Sequence, residues 1–272
     1  MKKFVALIMG IMLAIPVFCM PADREMTFAD GFNGASLENT VRSSIQYADK
    51  QEEAIEISGR APRYYDVSDR DNTCANVAGA ILLGYYDKDY DELIENFTSA
   101  RVIRGRITYY TQTQEVQNAM ARLYTTMKTN VTEGGTTVNN FKAGLQQYVN
   151  EHGRNITYTR TVNNQSLQTD VYRDAIENKI PSVFCLSKYT LISEDSFSSD
   201  NGVDNFTKQH YVGNHMVIGY GLKIIRYFDA AGNLKQQLTL LEVATGYERD
   251  PIGYILLDDY GALVDGYTVR IY

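Results

Sequence analysis

Apolar residues recur at helical spacing in the first half of the chain and gather into short, dense runs in the second. Val77, Ala78, Ile81, Leu82 and Tyr85 predict a helix over Cys74–Tyr86, with Asp71, Asn72 and Thr73 offering cap side chains at its start. Ala75, Ala78, Gly79 and Ala80 keep that helix slim, so neighbours can approach closely. It reads as a core helix whose N-terminus reaches the surface. Met120, Leu123, Tyr124 and Met127 mark a second helix over Gln114–Met127. A third is predicted over Val138–Glu151, and Arg173–Asn178 ends a fourth just before Ile180-Pro181. Beyond Pro181 the runs Ser182–Leu186, His215–Tyr220, Lys223–Phe228, Gln237–Ala244, Tyr254–Leu257 and Tyr267–Ile271 read as strands. Asp229-Ala230-Ala231-Gly232-Asn233 is a hairpin signal between two of them. Helices followed by antiparallel strands predict an α+β domain over residues 61–272.

The first 60 residues have a different character. Lys2 and Lys3 precede the apolar run Phe4–Phe18, which is short for a membrane span and has no positive charges beyond it to stop transfer. Residues 1–22 therefore read as a bacterial export signal, cleaved after Cys19 or Ala22. The expected product is a secreted or cell-surface protein with no membrane span in its mature form. Residues 23–60 are polar, acidic and weakly helical; whether they are a leader or pro-segment, a spacer or a disordered arm stays open.

Composition narrows the function classes. Of 272 residues, 44% are hydrophobic, enough for a packed core, and a net charge of −7 argues against a nucleic-acid partner. The chain has 21 Tyr and no Trp, a bias that suits polar grooves and half-buried strands alike. No Cys/His cluster has zinc spacing and no glycine-rich loop would cradle a phosphate, so no metal or cofactor is expected. Asp87–Glu92 resembles a calcium loop only faintly and reads as an acidic helix exit. With the signal removed, Cys74 and Cys185 remain, read as one reactive and one buried, inert thiol.

Cys74 opens the predicted core helix, where the helix dipole and unsatisfied backbone N–H groups stabilise a thiolate. The same N–H groups can receive the oxyanion of an acyl-transfer intermediate. His215 starts an apolar strand, a rigid mount for a base whose ring would stay exposed. Of the other two histidines, His152 suits a helix C-terminus, and His210 lies in a polar loop. Glu194–Asn205 has no regular period and reads as a lid over the cleft or as an ordinary surface excursion.

Asn72-Thr73-Cys74-Ala75-Asn76-Val77-Ala78-Gly79-Ala80, running on to Leu83-Gly84-Tyr85-Tyr86, resembles the nucleophile helix of bacterial papain-like peptidases. It is similar in particular to the peptidase family thirty-nine-like group, related to bacteriocin-leader processing domains. His215 with Gly219-Tyr220 resembles the base strand of that group, and Gly144-Leu145 and Ile180-Pro181 resemble elements between the two. The resemblance implies a papain-like fold, an N-terminal helical half with the nucleophile helix packed on a C-terminal antiparallel sheet. It also implies a secreted cysteine peptidase acting on a peptide or protein substrate. An inactive binding domain on the same scaffold, or an acyltransferase of transglutaminase type, are the alternatives. Two departures stand out. Where the family would have an Asp or Asn to orient the base, this chain has Thr245, with Glu248, Asp250 and Asp258 nearby. Ser68 stands where the family has an oxyanion Gln, leaving Asn72 as the preferred donor. Folding the hairpin about Ala231 sets position 247 opposite His215.

Overall fold

The computed structural model describes residues 27–28, 35–57, 62–97, 100–103, 105–109, 113–131, 134–259 and 261–272. The predicted export signal, residues 1–22, lies outside them. Among the described residues no helix is long and apolar enough to cross a membrane.

The chain begins with a short strand β1 (Thr27–Phe28) and a long hairpin, β2 (Ser36–Gln46) and β3 (Asp49–Glu56). Helix α1 (Cys74–Asp87) follows, then the ribbon β4 (Ala100–Ile103) and β5 (Arg106–Tyr109), helix α2 (Gln114–Thr126), strand β6 (Thr136–Thr137) and helix α3 (Val138–Glu151). Next come β7 (Ile156–Arg160), the small ribbon β8 (Val162–Asn163) and β9 (Ser166–Leu167), and helix α4 (Thr169–Glu177). The remainder is strand: β10 (Ser182–Ser193), β11 (Ser198–Asp200), β12 (Val203–Phe228), β13 (Leu234–Ala244), β14 (Ile252–Leu256) and β15 (Gly261–Ile271).

This overturns the expected papain-like α+β arrangement. Strand makes up 45% of the structure and helix 25%, so the molecule is mainly one large antiparallel sheet rather than a helical half packed on a smaller one. The physical reason lies in residues 36–56. Their charged, weakly helical sequence conceals two strands whose side chains are almost all exposed. A strand of that kind is held by backbone pairing: β2 runs along Val203–Val212 of β12 and β3 along Gly221–Phe228. Their charges pair across the surface, Glu52 with Lys50 (2.8 Å) and Lys223 (3.1 Å), Glu53 with Arg173 (2.6 Å). Glu194–Asn205, expected without regular structure, is a 3-10 turn and the tight β11–β12 hairpin, and His210 sits in β12 rather than in a loop.

β12 is the spine. Its 26 residues pair with β10 and β3 along one edge and with β2 and β13 along the other. β13 pairs with β14 and β14 with β10, which pairs back to β12, so four strands close a ring. Ile192, Phe206, Ile225, Tyr227, Leu238, Leu240 and Leu256 form one core inside that end of the sheet. Asp204, fully buried beside them, accepts hydrogen bonds from the hydroxyls of Tyr47 (3.1 Å), Tyr227 (2.9 Å) and Ser199 and from the Lys50 ammonium (3.1 Å). Burial pushes its carboxyl up, but the bonds from Ser199, Tyr227 and Lys50 outweigh that and hold it below its ordinary value.

The second, larger core lies between the helices and the sheet. α1 is buried on every side, as a helix apolar all round must be. Tyr85 and Tyr86 anchor its far end, donating to the carbonyls of Lys179 (2.8 Å) and Val269 (2.7 Å). α2 and α3 start at Thr113 and Thr137, whose hydroxyls accept from the Val116 and Asn140 amides. They pack closely because Gly144 faces the backbone of Met127: a Cβ there would lie 2.5 Å from the Met127 nitrogen.

Two outcomes follow. Gly144→Ala forces α3 away from α2 and should cost about 1–3 kcal/mol by over-packing, read as a lower urea midpoint with unchanged slope; an unshifted midpoint contradicts that contact. The folded carboxyl of Asp204 titrates below its ordinary value of 3.8, so its contribution is complete above that pH and is lost as pH falls through the lower folded value. The urea midpoint should therefore fall more steeply as the pH drops below about 4 in the native protein than in Asp204→Asn.

Candidate active site

The chain approaches α1 through a tight turn in which Asp66 accepts the Ser68 amide (2.8 Å) and hydroxyl (2.7 Å). Asn72 then adopts a left-handed φ of 61°, a conformation Asn tolerates better than most residues. Its side-chain amide donates to Asn130 (2.7 Å), which in turn donates to the Asp71 carbonyl (3.0 Å) and the Tyr124 hydroxyl (2.9 Å). Asn72, expected as an oxyanion donor, thus clasps the turn before α1 to the loop after α2.

The Thr73 carbonyl accepts from Asn76 (2.8 Å) and Val77 (3.0 Å), so helical bonding starts there and Cys74 is the first helical residue. The Thr73 side chain makes no capping hydrogen bond. The amides of Cys74 and Ala75 are among the helix donors that have no intrahelical acceptor by construction.

His215 lies on β12 opposite Leu186 of β10. Pairing of β12 with β2 ends at Val212 and its pairing with β13 on the same edge begins at Ile218, and His215 falls in that interval. The turn after β13 fills it. His215 Nε2 meets the Thr245 carbonyl at 2.7 Å. A carbonyl can only accept, so Nε2 carries a proton, and Nδ1 is the ring nitrogen turned away from the Thr245 carbonyl. Thr245 was expected to orient the base through its hydroxyl; the backbone oxygen does so instead. The hydroxyl braces the turn, accepting the Tyr247 amide (3.0 Å) and donating to the Asp250 carbonyl (2.5 Å). Gly246, at φ 78°, lies against α1, where an added Cβ would be 3.2 Å from Val77. The turn that holds His215 therefore rests on the helix that begins with Cys74. Asp258 is engaged elsewhere, accepting the Thr239 amide (2.5 Å), and Glu248 is exposed.

Two tyrosines stack on the imidazole and a third stacks on them, a role the sequence assigned to none of the three. Tyr247 stacks on His215 at 4.5 Å and 2°, Tyr189 at 5.7 Å and 18°, and Tyr211 stacks on both tyrosines at 5.1 and 5.5 Å. The Tyr189 and Tyr247 hydroxyls are hydrogen-bonded to each other. Burial, then the Tyr247 phenol, raises the Tyr189 phenol well above its ordinary value, so it stays a neutral donor; the neighbouring Cys74 acts in the same direction. The legible signal was the register arithmetic that set position 247 opposite His215. The consequence was not foreseen: Cys74 and His215 are each 2% exposed, where an exposed ring and a helix start near the surface were expected.

Cys185, on β10, is also buried, and burial, then Asp265 and Cys74, raises its thiol well above the ordinary value. Neither cysteine is in a disulfide. His152 caps α3, its Nδ1 2.7 Å from the Tyr148 carbonyl. His210 Nε2 lies 3.7 Å from Asp259. Among the described residues no group of three or more His, Cys, Asp or Glu could hold a metal ion.

Compared with known protein families, curated proteins and solved structures, the chain matches none.

Tyr247 stacks on His215, so Tyr247→Ala should open this end of the core and speed alkylation of Cys74 by iodoacetamide several-fold, measured by mass spectrometry at fixed pH. An unchanged rate would mean that access to the thiol is controlled elsewhere.

Proposed function

We propose that this chain is an exported thiol hydrolase that cleaves peptide or amide bonds through Cys74 and His215. The observation that carries the proposal is the hydrogen bond from His215 Nε2 to the Thr245 carbonyl. It fixes the tautomer whose Nδ1 is the base, without needing a charged third residue, because that residue's task is orientation. In the proposed reaction the Cys74 thiol gives its proton to His215 Nδ1 and the thiolate attacks the substrate carbonyl. The oxyanion is met by the amides at the start of α1, and the imidazolium protonates the leaving amine. Neutral His215 then takes a proton from water, the hydroxide attacks the thioester carbonyl, the C–S bond breaks to release the acyl group as a carboxylic acid, and the Cys74 thiolate is restored beside the imidazolium. The likeness of residues 72–86 and 215–220 to bacterial cysteine peptidases supports the same reading, as does the signal-like sequence of residues 1–22.

The 2% exposure of both side chains favours a second reading, a non-catalytic binding domain in which the pair is core packing. Alkylation separates the two. A free thiol has a pKa of about 8.5, and a histidine partner at a helix end lowers it by several units. With iodoacetamide at about pH 6, the hydrolase reading predicts selective labelling of Cys74, in the native protein and faster in Tyr247→Ala. Labelling should be slowed in His215→Ala and His215→Gln variants shown to be folded by their thermal melts. A Cys74 rate that rises around pH 8.5 and is indifferent to His215 supports the binding domain.

A further inference from the structure

We infer that the outer edge of β2 is a self-association surface, on which a second copy of this chain lays its own β2 antiparallel, with Thr40 opposite Thr40. The inference is independent of the hydrolase reading above. β2 is 11 residues long and pairs along one edge with Val203–Val212 of β12. Among the described residues no strand pairs with its other edge. Every residue from Ser36 to Arg42 is exposed, Leu37 and Val41 at 50% and 41%. An edge of that kind presents a row of backbone donors and acceptors to any strand that can match it.

The direction of those groups is fixed at the end of the strand. The Tyr47 amide donates to the Gly202 carbonyl, on the β12 side, at 2.9 Å. The Gln46 carbonyl belongs to the same trans peptide unit and therefore points the other way, where it accepts from Lys235 Nζ at 2.7 Å. Pairing with β12 is unbroken from Gln46 back to Asn39. Alternation along that run points the backbone groups of Ser44, Arg42 and Thr40 outward and those of Ile45, Ser43, Val41 and Asn39 towards β12. The bulge in β2 falls at Glu38, just beyond the regular run.

Charge selects both the occupant and the register. Glu38 and Arg42 are the two charged residues of β2, two places on either side of Thr40. When Thr40 meets Thr40, Glu38 of each copy lies opposite Arg42 of the other, and a β-branched pair sits at the centre. Centring on Arg42 or on Glu38 sets like charges face to face, and centring on Val41 opposes no charges. Two other edge strands carry protection that β2 lacks. β3 holds Asp49, Glu52, Glu53 and Glu56 against the single Lys50, so a second β3 would be repelled. β7 is only five residues long, and Tyr158 ties it to α3 by donating to the Lys142 carbonyl at 3.1 Å. β2 contains neither lysine nor proline. A contact made by one strand edge is small, so the product is a weak, isologous dimer that forms as concentration rises.

Sedimentation velocity of the full chain over about 1–100 µM tests this, and the native protein should pass from monomer to dimer in that range. Thr40→Pro removes an N–H that points away from β12, so circular dichroism should be unchanged while the dimer weakens by about tenfold or more. Glu38→Arg and Arg42→Glu, each alone, set like charges opposite one another twice and should also weaken dimerisation about tenfold. Mixed in equal amounts, these two variants should recover the native association, because each supplies the charge the other has lost. Damage to the fold could not be repaired by mixing. A native chain that stays monomeric up to about 100 µM overturns the inference, as does a dimer that all three variants leave unchanged. A mixture of the charge variants that stays as weak as either alone overturns the Thr40 register.

Discussion

One edge of β12 is handed from β2 to β13, and the interval between them fixes everything at the candidate site. A strand of 26 residues has backbone groups to satisfy on both sides along its whole length. One edge is covered by β10 and then β3; the other by β2 as far as Val212 and by β13 from Ile218. Between those two points the chain returning from β13 must turn, and it turns over His215. The Thr245 carbonyl, released from the ladder by that turn, is the acceptor that holds the imidazole. A backbone oxygen placed by sheet topology is as rigid an orienting group as a side chain can be, and it costs no rotamer entropy to hold.

The same turn closes the site. Gly246 must lie flat on α1, and Tyr247 follows it onto the face of His215. The burial of His215 is thus a consequence of the turn that supplies its acceptor, while Cys74 is buried with the whole of α1. In so buried a place electrostatic interactions are stronger than in water, and the thiol and the imidazole are both shielded from bulk solvent. Cys185 is equally buried, but it lies mid-strand on β10, where no helix start favours its thiolate, and its thiol is pushed up.

The helices were legible because their apolar spacing is decided locally. α3 is predicted and found at Val138–Glu151, and α1 and α2 differ from expectation by one residue at their C-terminal ends. The later strands were visible as apolar runs, and the hairpin at Asp229–Asn233 forms, its carboxylate accepting the Ala231 and Asn233 amides. What was not legible depends on partners distant in sequence. β2 and β3 bury almost nothing, so only their pairing with residues 203–228 makes them strands, and no local pattern reports that. Missing them is what made the fold look like a helical half on a small sheet. At the site, Cys74 and His215 were singled out from residue type and context, and Tyr247 was implied by hairpin register. The role of the Thr245 backbone was invisible, because a sequence records side chains and the acceptor here is a carbonyl that every residue has.

In the proposed chemistry His215 keeps a proton on Nε2 and uses Nδ1 as the base toward Cys74. Nitrogen-15 NMR of the histidine rings at neutral pH reads this directly. In Cys74→Ala, the account requires a neutral His215 ring protonated at Nε2; in the native protein it requires both nitrogens protonated, as an imidazolium beside a thiolate. A ring protonated only at Nδ1, the same with and without Cys74, would contradict it.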